Sequence, residues 1–272
     1  MFRQQPKRQP PPRSSSSSAT AQSFQRGTLA VSVSCFINEF RPLAKTANGR
    51  QAIEQHKLPP FIDASCRREP DLQSKIPSIT ALCRGGFFAP RLLEGNVVAY
   101  MTAKFAYPLD TPPTRRLVAV LRIRKSWRSA EGQPGTEAHA QAAKWYHEQV
   151  LPLPSNCMAE GNKPMPLDKT DRYMSNLRLW DRHYRHVAEE HGVFHACESI
   201  FCEVNDPPRL TNRQLVEWFG AIPNTREFSP LPTEKFVKML RWLVSQTADA
   251  ATGRRLEDLC QLLSPPGFKG DL

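Results

Sequence analysis

Residues 77–102, PSITALCRGGFFAPRLLEGNVVAYMT, decide how the rest of the chain is read. Two apolar runs, Ile79 to Cys83 and Val97 to Met101, bracket a segment holding Gly85, Gly86, Phe87, Phe88, Pro90 and the arginines Arg84 and Arg91. Runs of this length bounded by glycine and proline predict strands joined by a constrained loop. Leu92-Leu93-Glu94-Gly95-Asn96 predicts a tight turn into the second strand, because glycine takes the positive φ such a turn needs without a Cβ clash. The loop sets guanidinium groups beside aromatic rings, a chemistry suited to phosphates and stacked bases. It holds no nucleophile next to a base, so it points to a ligand class before it points to a reaction.

Upstream, Leu29, Val31, Val33, Cys35 and Ile37 alternate with mostly small residues, which predicts a strand. A short helix is expected over 49–57, stopped by Pro59-Pro60, and 59–77 reads as a long polar connection. Downstream, Arg116 to Lys125 predicts a strand with Leu117, Ala119, Leu121 and Ile123 on one face. Its other face carries Val118 and Val120, then Arg122 and Arg124, with Trp127 beyond. Thr136 can cap a helix to about residue 150, 151–170 is irregular and proline-rich, and Ser175 begins an amphipathic helix ending at Gly192. VFHACESIFCEV (193–204) reads as one bulged strand or two short ones. Thr211 with Gln214 spells a capping box, flanked by the apolar staple Leu210 and Leu215, and Gly220 ends that helix. Two further helices are expected over 233–247 and 254–263. The fold class is α+β: a β-rich part over 27–205 with inserted helices, then a helical part over 206–272 packed on it.

The chain has 272 residues, 40% of them hydrophobic, enough for a sizeable core. Residues 1–26 are rich in Pro, Gln and Ser, basic, and lack the apolar stretch of a signal peptide; they are expected to be disordered, and the protein cytoplasmic. No apolar run approaches the ~20 residues of a membrane helix, so no membrane partner is expected. The formal charge is +11, of which Arg3, Lys7, Arg8, Arg13 and Arg26 contribute +5 and the rest of the chain +6. A mildly basic folded part is compatible with nucleic acid. The seven cysteines form no CxxC pair, which removes the main signal for zinc ribbons and thioredoxin-like sites. No P-loop, GxGxxG, GxSxG or deaminase motif occurs, which weighs against the common NTPases, Rossmann enzymes, hydrolases and zinc deaminases.

Three constellations could carry chemistry. Arg84, Phe87, Phe88 and Arg91, with Tyr100, Arg122, Arg124 and Trp127 on neighbouring strands, could form a stacking pocket with cations for phosphates; the plainer alternative is core aromatics and solvated arginines. In the 59–77 connection, Arg67 and Arg68 could clamp a phosphate, and Asp63, Glu69 and Asp71 could hold a divalent metal in a nuclease-like site. His191, His195, Cys197 and Cys202 have the chemistry of a zinc shell, but strand alternation turns Cys202 away from the other strand ligands unless a bulge intervenes. No cofactor is expected apart from that divalent metal in the nuclease alternative.

Cys83-Arg84, Ala89-Pro90-Arg91 and Leu93-Glu94-Gly95-Asn96-Val97-Val98 resemble the corresponding segments of bacterial nucleotide-modification-associated domains. These relate to the PUA-like group of small β-barrels that includes the YTH and EVE domains, and the likeness covers about residues 28–130. It implies a small barrel or curved mixed sheet whose cleft accepts a modified or flipped base, in a setting of DNA modification or phage conflict. On such a fold the base pocket is sought at Phe36, Arg84, Phe87, Phe88 and Tyr100, with Arg67 and Arg68 near the backbone. The expected function is therefore a nucleic-acid-binding module, with DNA ahead of RNA. A base-modifying, base-excising or nucleolytic enzyme and a scaffold binding protein through its C-terminal helices stand as alternatives.

Overall fold

The computed structural model describes residues 33–64, 70–73, 76–81, 87–107, 112–128, 182, 186–187 and 190–264. Six strands run in order: β1 (Cys35–Phe40), β2 (Ser78–Thr80), β3 (Val97–Thr102), β4 (Arg115–Arg128), β5 (Val193–Cys202) and β6 (Arg209–Leu210). Four α-helices are assigned among the described residues: α1 (Ala47–His56), α2 (Asn212–Phe219), α3 (Thr233–Gln246) and α4 (Ala250–Leu263). The fold is α+β, built on one curled mixed sheet of order β1-β3-β4-β5-β2, with β6 also paired to β4. β1 is parallel to β3, and the other pairings are antiparallel.

Strands form in both runs expected to flank the loop, at Ser78–Thr80 within the Ile79–Cys83 expectation (of which 82 and 83 lie outside the described residues) and at Val97–Thr102, but they are not neighbours. β2 lies at one edge against β5, whereas β3 sits between β1 and β4. The described part of the connection between them, 87–96, lies on one face of the sheet over β5 and β4. That placement explains why Phe88, Ala89 and Leu92 are buried against Val98, Leu121 and Ile123.

Both faces of the sheet are covered. Cys35 and Ile37 of β1 and Val97, Ala99 and Met101 of β3 join Leu215, Phe236, Leu240, Leu256 and Leu263 of the C-terminal helices in one core. Phe36, Phe40, Val98 and Tyr100 point the other way, under Phe61, Phe88, Leu92, Phe105 and Val187. Two-sided burial is why β1 and β3 contain apolar residues at consecutive positions. The helices cover a whole face, and the 59–64 segment is more than a polar connection: Phe61, Ile62 and Ala64 are buried. Their backbone is tied in by Leu43 N–H to Ile62 O (2.9 Å) and Phe61 N–H to Val204 O (3.1 Å).

β4 departs from simple alternation twice. Tyr100 pairs with Ala119 but Met101 with Leu117, so Val118 is an extra residue on β4. Leu117 consequently sides with Val120 toward the helices, while Val118, Ala119, Leu121 and Ile123 face the loops. This corrects the expected single face of Leu117, Ala119, Leu121 and Ile123. Farther on, Ile123 pairs with Cys197 and Lys125 with Ala196, which leaves Arg124 as the extra residue. A bulge of this kind resets which side every later residue occupies. Ser126, through its backbone N–H to Glu94, and Arg128, to the Pro90 and Leu92 carbonyls, thereby bond to the loop segment that covers Ile123. β5 is one continuous strand, with Ile200 as its own extra residue between the pairs Leu121–Ser199 and Val120–Phe201.

The capping box at Thr211 is present, with both Thr211 and Gln214 bonds made, and α2 ends at Gly220 with φ 81°. α4 begins earlier than the apolar pattern suggests, because Asp249 accepts the Thr252 N–H at 2.8 Å as its N-cap. The expected strand over 28–32 and the segments 136–150, 151–170 and 175–181 lie outside the described residues. Residues 186, 187, 190 and 191 are helical, as the pattern ahead of Gly192 predicts. Among the described residues no helix is long and apolar enough to cross a membrane.

Candidate nucleic-acid interface

A cleft of about 330 Å³ opens where the 87–91 turn meets the segment between α2 and α3, lined by Phe87, Phe88, Arg91, Arg226, Glu227, Phe228 and Ser229. Ala89–Arg91 form a 3-10 turn with Pro90 in its first positions, where the fixed proline φ suits helical backbone. The α2–α3 segment reaches the site because Leu231 N–H donates to the Cys35 carbonyl (2.8 Å) at the start of β1. Phe228 is thereby laid over Phe36, with ring centroids 4.6 Å apart and planes 34° from parallel. The Arg91 guanidinium sits over Phe228 at 4.6 Å from its centroid, a cation–π contact at the solvent side of the buried Phe36. Phe88 is 4% exposed and meets both rings edge-on, 6.1 Å from Phe36 and 5.8 Å from Phe228. Phe87, by contrast, is 76% exposed.

The turn is held down by side chains from β4 and β5. His195 is fully buried, and its Nε2–H donates to the Ala89 carbonyl at 2.8 Å. Its Nδ1 is then the acceptor, taking the Ser126 Oγ–H at 2.7 Å. Burial drives the His195 pKa down to about 4, so the ring is neutral at physiological pH. The Arg128 guanidinium donates to the Pro90 and Leu92 carbonyls at 2.7 and 2.9 Å. Ser126 N–H donates to Glu94, and Gly95 N–H to the Ile123 carbonyl at 2.9 Å in each case. Gly95 has φ 85°, as the turn requires, and the Asn96 side chain accepts the Leu93 N–H at 2.9 Å. The 88–96 side of the cleft is thus tied down by hydrogen bonds from β4 and β5.

Of the residues expected at a base pocket, Phe87 and Arg91 offer surface to it. Phe88 lines the cleft, and Phe36 (2% exposed) does not reach it but packs behind Phe88 and Phe228. Tyr100 is wholly buried beside Phe40 and packs the core, because β3 is covered on both faces. Trp127 packs on Phe194 in a separate cluster, with the Lys125 ammonium over its ring at 5.1 Å. Arg122 alternates with Leu121 and Ile123 and so points away from the loop face, and Arg124 is ion-paired with Glu198 at 2.9 Å. The β4 bulges separate these arginines from the cleft. Arg67, Arg68, Glu69 and Arg84 lie outside the described residues. Sequence reasoning missed Arg226, Glu227, Phe228 and Ser229, which a tertiary contact alone brings to Phe87; no local pattern marks them.

The alternative sites do not assemble among the described residues. Both ring nitrogens of His195 are engaged, and Cys197 Sγ–H donates to the His195 carbonyl at 3.7 Å. Cys202 lies seven positions along β5 from His195, roughly 20 Å away at strand rise. Extended backbone therefore keeps His191, His195, Cys197 and Cys202 from converging, and no group of three or more His, Cys, Asp or Glu could hold a metal among the described residues. Asp71 Oδ1 accepts the Gln73 N–H at 3.1 Å, an Asx turn, and Asp63 is buried next to a backbone bridge to Pro42. A second cleft, of about 310 Å³, is bounded by Lys104, Pro112, Pro113, Arg209 and Thr211 among others, with cations but no aromatic ring.

No protein-family model matches the chain, and neither a curated protein nor a solved structure shows significant similarity to it.

Proposed function

We propose that this protein is a nucleic-acid-binding module whose Phe87–Arg91–Phe228 cleft takes an unpaired, extruded or modified base. The observation that carries this reading is a largely exposed Phe87 beside an arginine stacked on Phe228, with Arg226 on the same wall. The Phe87 ring and the Arg91 plane offer stacking surface to any base, and Arg226 offers charge-assisted bonds to its phosphate. The cleft volume, about 330 Å³, lies at the low end of small-ligand sites and suits one nucleotide better than a duplex. The PUA-like resemblance belongs to this reading, supported by the curled mixed sheet, and with it a setting of DNA modification.

The test is an electrophoretic shift with the full chain. It uses single- and double-stranded DNA and RNA, with and without modified bases, at two salt concentrations in the presence of Mg²⁺. Retained, intact nucleic acid is the expected result. Phe87→Ala should weaken binding by about 5- to 150-fold, the loss of roughly 1–3 kcal/mol of stacking. Arg226→Ala should lower the salt slope by about one. Cleaved or altered product would move the assignment to an enzyme, and the absence of any complex at low salt would refute the reading.

A further inference from the structure

We infer that the base taken by this cleft is guanine, stacked on the outer face of the Arg91 guanidinium and read by the Glu227 carboxylate. The inference rests on the nucleic-acid reading above and names its substrate more narrowly. Phe228 has two close neighbours: the Phe36 ring, with 4.6 Å between centroids, and the Arg91 guanidinium, whose Cζ is 4.6 Å from the Phe228 centroid. With these two neighbours and Phe88 edge-on at 5.8 Å, the Phe228 ring is already occupied, so a base stacking on it would have to displace the guanidinium. The planar surfaces left open at the cleft are the exposed face of Arg91 and the ring of Phe87. Guanidinium planes stack on bases as aromatic rings do.

Glu227 decides the base. It lines the same cleft, is exposed, and has no ion-pair partner among the described residues. A site built for phosphate alone is weakened by a carboxylate at its wall. A carboxylate accepts hydrogen bonds only, at two oxygens. Guanine presents two adjacent donors, N1–H and the N2 amino group, on its Watson–Crick edge. Adenine, cytosine and thymine all place an acceptor on that edge where a second donor is needed, so the carboxylate would meet a lone pair. The edge is free only in an unpaired base, which makes the ligand a single strand or an extruded nucleotide. Arg226 remains for the phosphate.

The test measures fluorescence anisotropy of the full chain with short labelled thymine strands carrying one central guanine, hypoxanthine or adenine, and with GMP as competitor. Guanine should bind about tenfold or more tighter than adenine, the discrimination of a bidentate base contact, with hypoxanthine between them because it lacks the N2 amino group. Glu227→Gln should abolish the preference while retaining binding, and Arg91→Lys, which keeps the charge but not the plane, should weaken every strand. Equal affinity for guanine and adenine, or a preference that survives Glu227→Gln, overturns the guanine assignment and leaves the nucleic-acid reading standing. No binding of any strand overturns both. GMP competing as well as the guanine strand supports guanine recognition and overturns the nucleic-acid reading in favour of a free nucleotide.

Discussion

His195 holds the cleft wall as a neutral ring, and that neutrality has a pH signature. Its folded pKa, about 4, lies below the ordinary 6.5, because burial away from water disfavours the imidazolium. As pH falls, the unfolded chain takes up this proton first. The histidine's contribution is whole above pH 6.5, declines between 6.5 and 4, and is exhausted below. The ceiling of the effect is about 3 kcal/mol. Urea unfolding across this window should show a steeper loss for the wild type than for His195→Gln, which carries no proton to titrate; parallel slopes would argue against a buried neutral ring. Arg116 supports a second residue-scale prediction. Its guanidinium is buried, bonds to the Pro207 carbonyl (2.9 Å) and Asp206 (2.6 Å), and lies over the Phe61 ring at 5.1 Å. The Asp206 side chain is 89% exposed, so water can solvate it when the partner is lost. Arg116→Met should therefore cost about 1–3 kcal/mol, from the stranded Pro207 carbonyl, while Asp206→Asn costs under about 1 kcal/mol. Comparable losses in denaturation midpoints would contradict that division.

At the scale of elements, two helical glycines make opposite predictions. Gly49 sits at the third position of α1, where an added Cβ would run into the Leu43 carbonyl. The backbone of α1 can approach the 43–45 turn only because that atom is missing, so Gly49→Ala should destabilise by about 1–3 kcal/mol. Gly253, inside α4, meets nothing within 4 Å of a built Cβ. Gly253→Ala should stabilise by about 0.5–1 kcal/mol, since alanine gives up less backbone entropy in a helix. Thermal melts of the two variants should shift in opposite directions. For α2, Thr211→Ala removes the acceptor for the Gln214 N–H and half of the capping box, a loss of about 1 kcal/mol that Thr211→Ser should largely avoid.

For the whole molecule, the consequential fact is that one sheet is closed on both sides by different material. The helix side brings together residues of β1, β3, β4 and β5 with those of α2, α3 and α4 in a single core. A chain ending at residue 205 would expose that face and lose the β6 pairing with Arg115 and Arg116. It should not fold on its own, and circular dichroism of that truncation should show no cooperative melt. A cooperative melt would mean that the loop side alone sustains the sheet.

How much of this was legible in the chain depends on whether the signal was local. The Thr211 capping box, the Gly95 turn, the α3 periodicity and the mixed α and β character are written in neighbouring residues, because caps, turns and periodicity act over a few positions. Phe87 and Arg91 stood out for the same reason. What the tertiary structure alone decided was partnership: that β2 pairs with β5 while β3 pairs with β1 and β4, and that residues 87–96 become a cover over the sheet. It also decided, through an extra residue at Val118 and another at Arg124, which side the later β4 residues occupy, and so took Arg122 and Arg124 from the cleft and brought Ser126 and Arg128 to the turn that forms its wall. Phe228 reaches Phe36 from nearly the other end of the chain. Alternation and apolarity state that a strand is buried, but hydrophobic burial is non-directional and does not name the element that buries it.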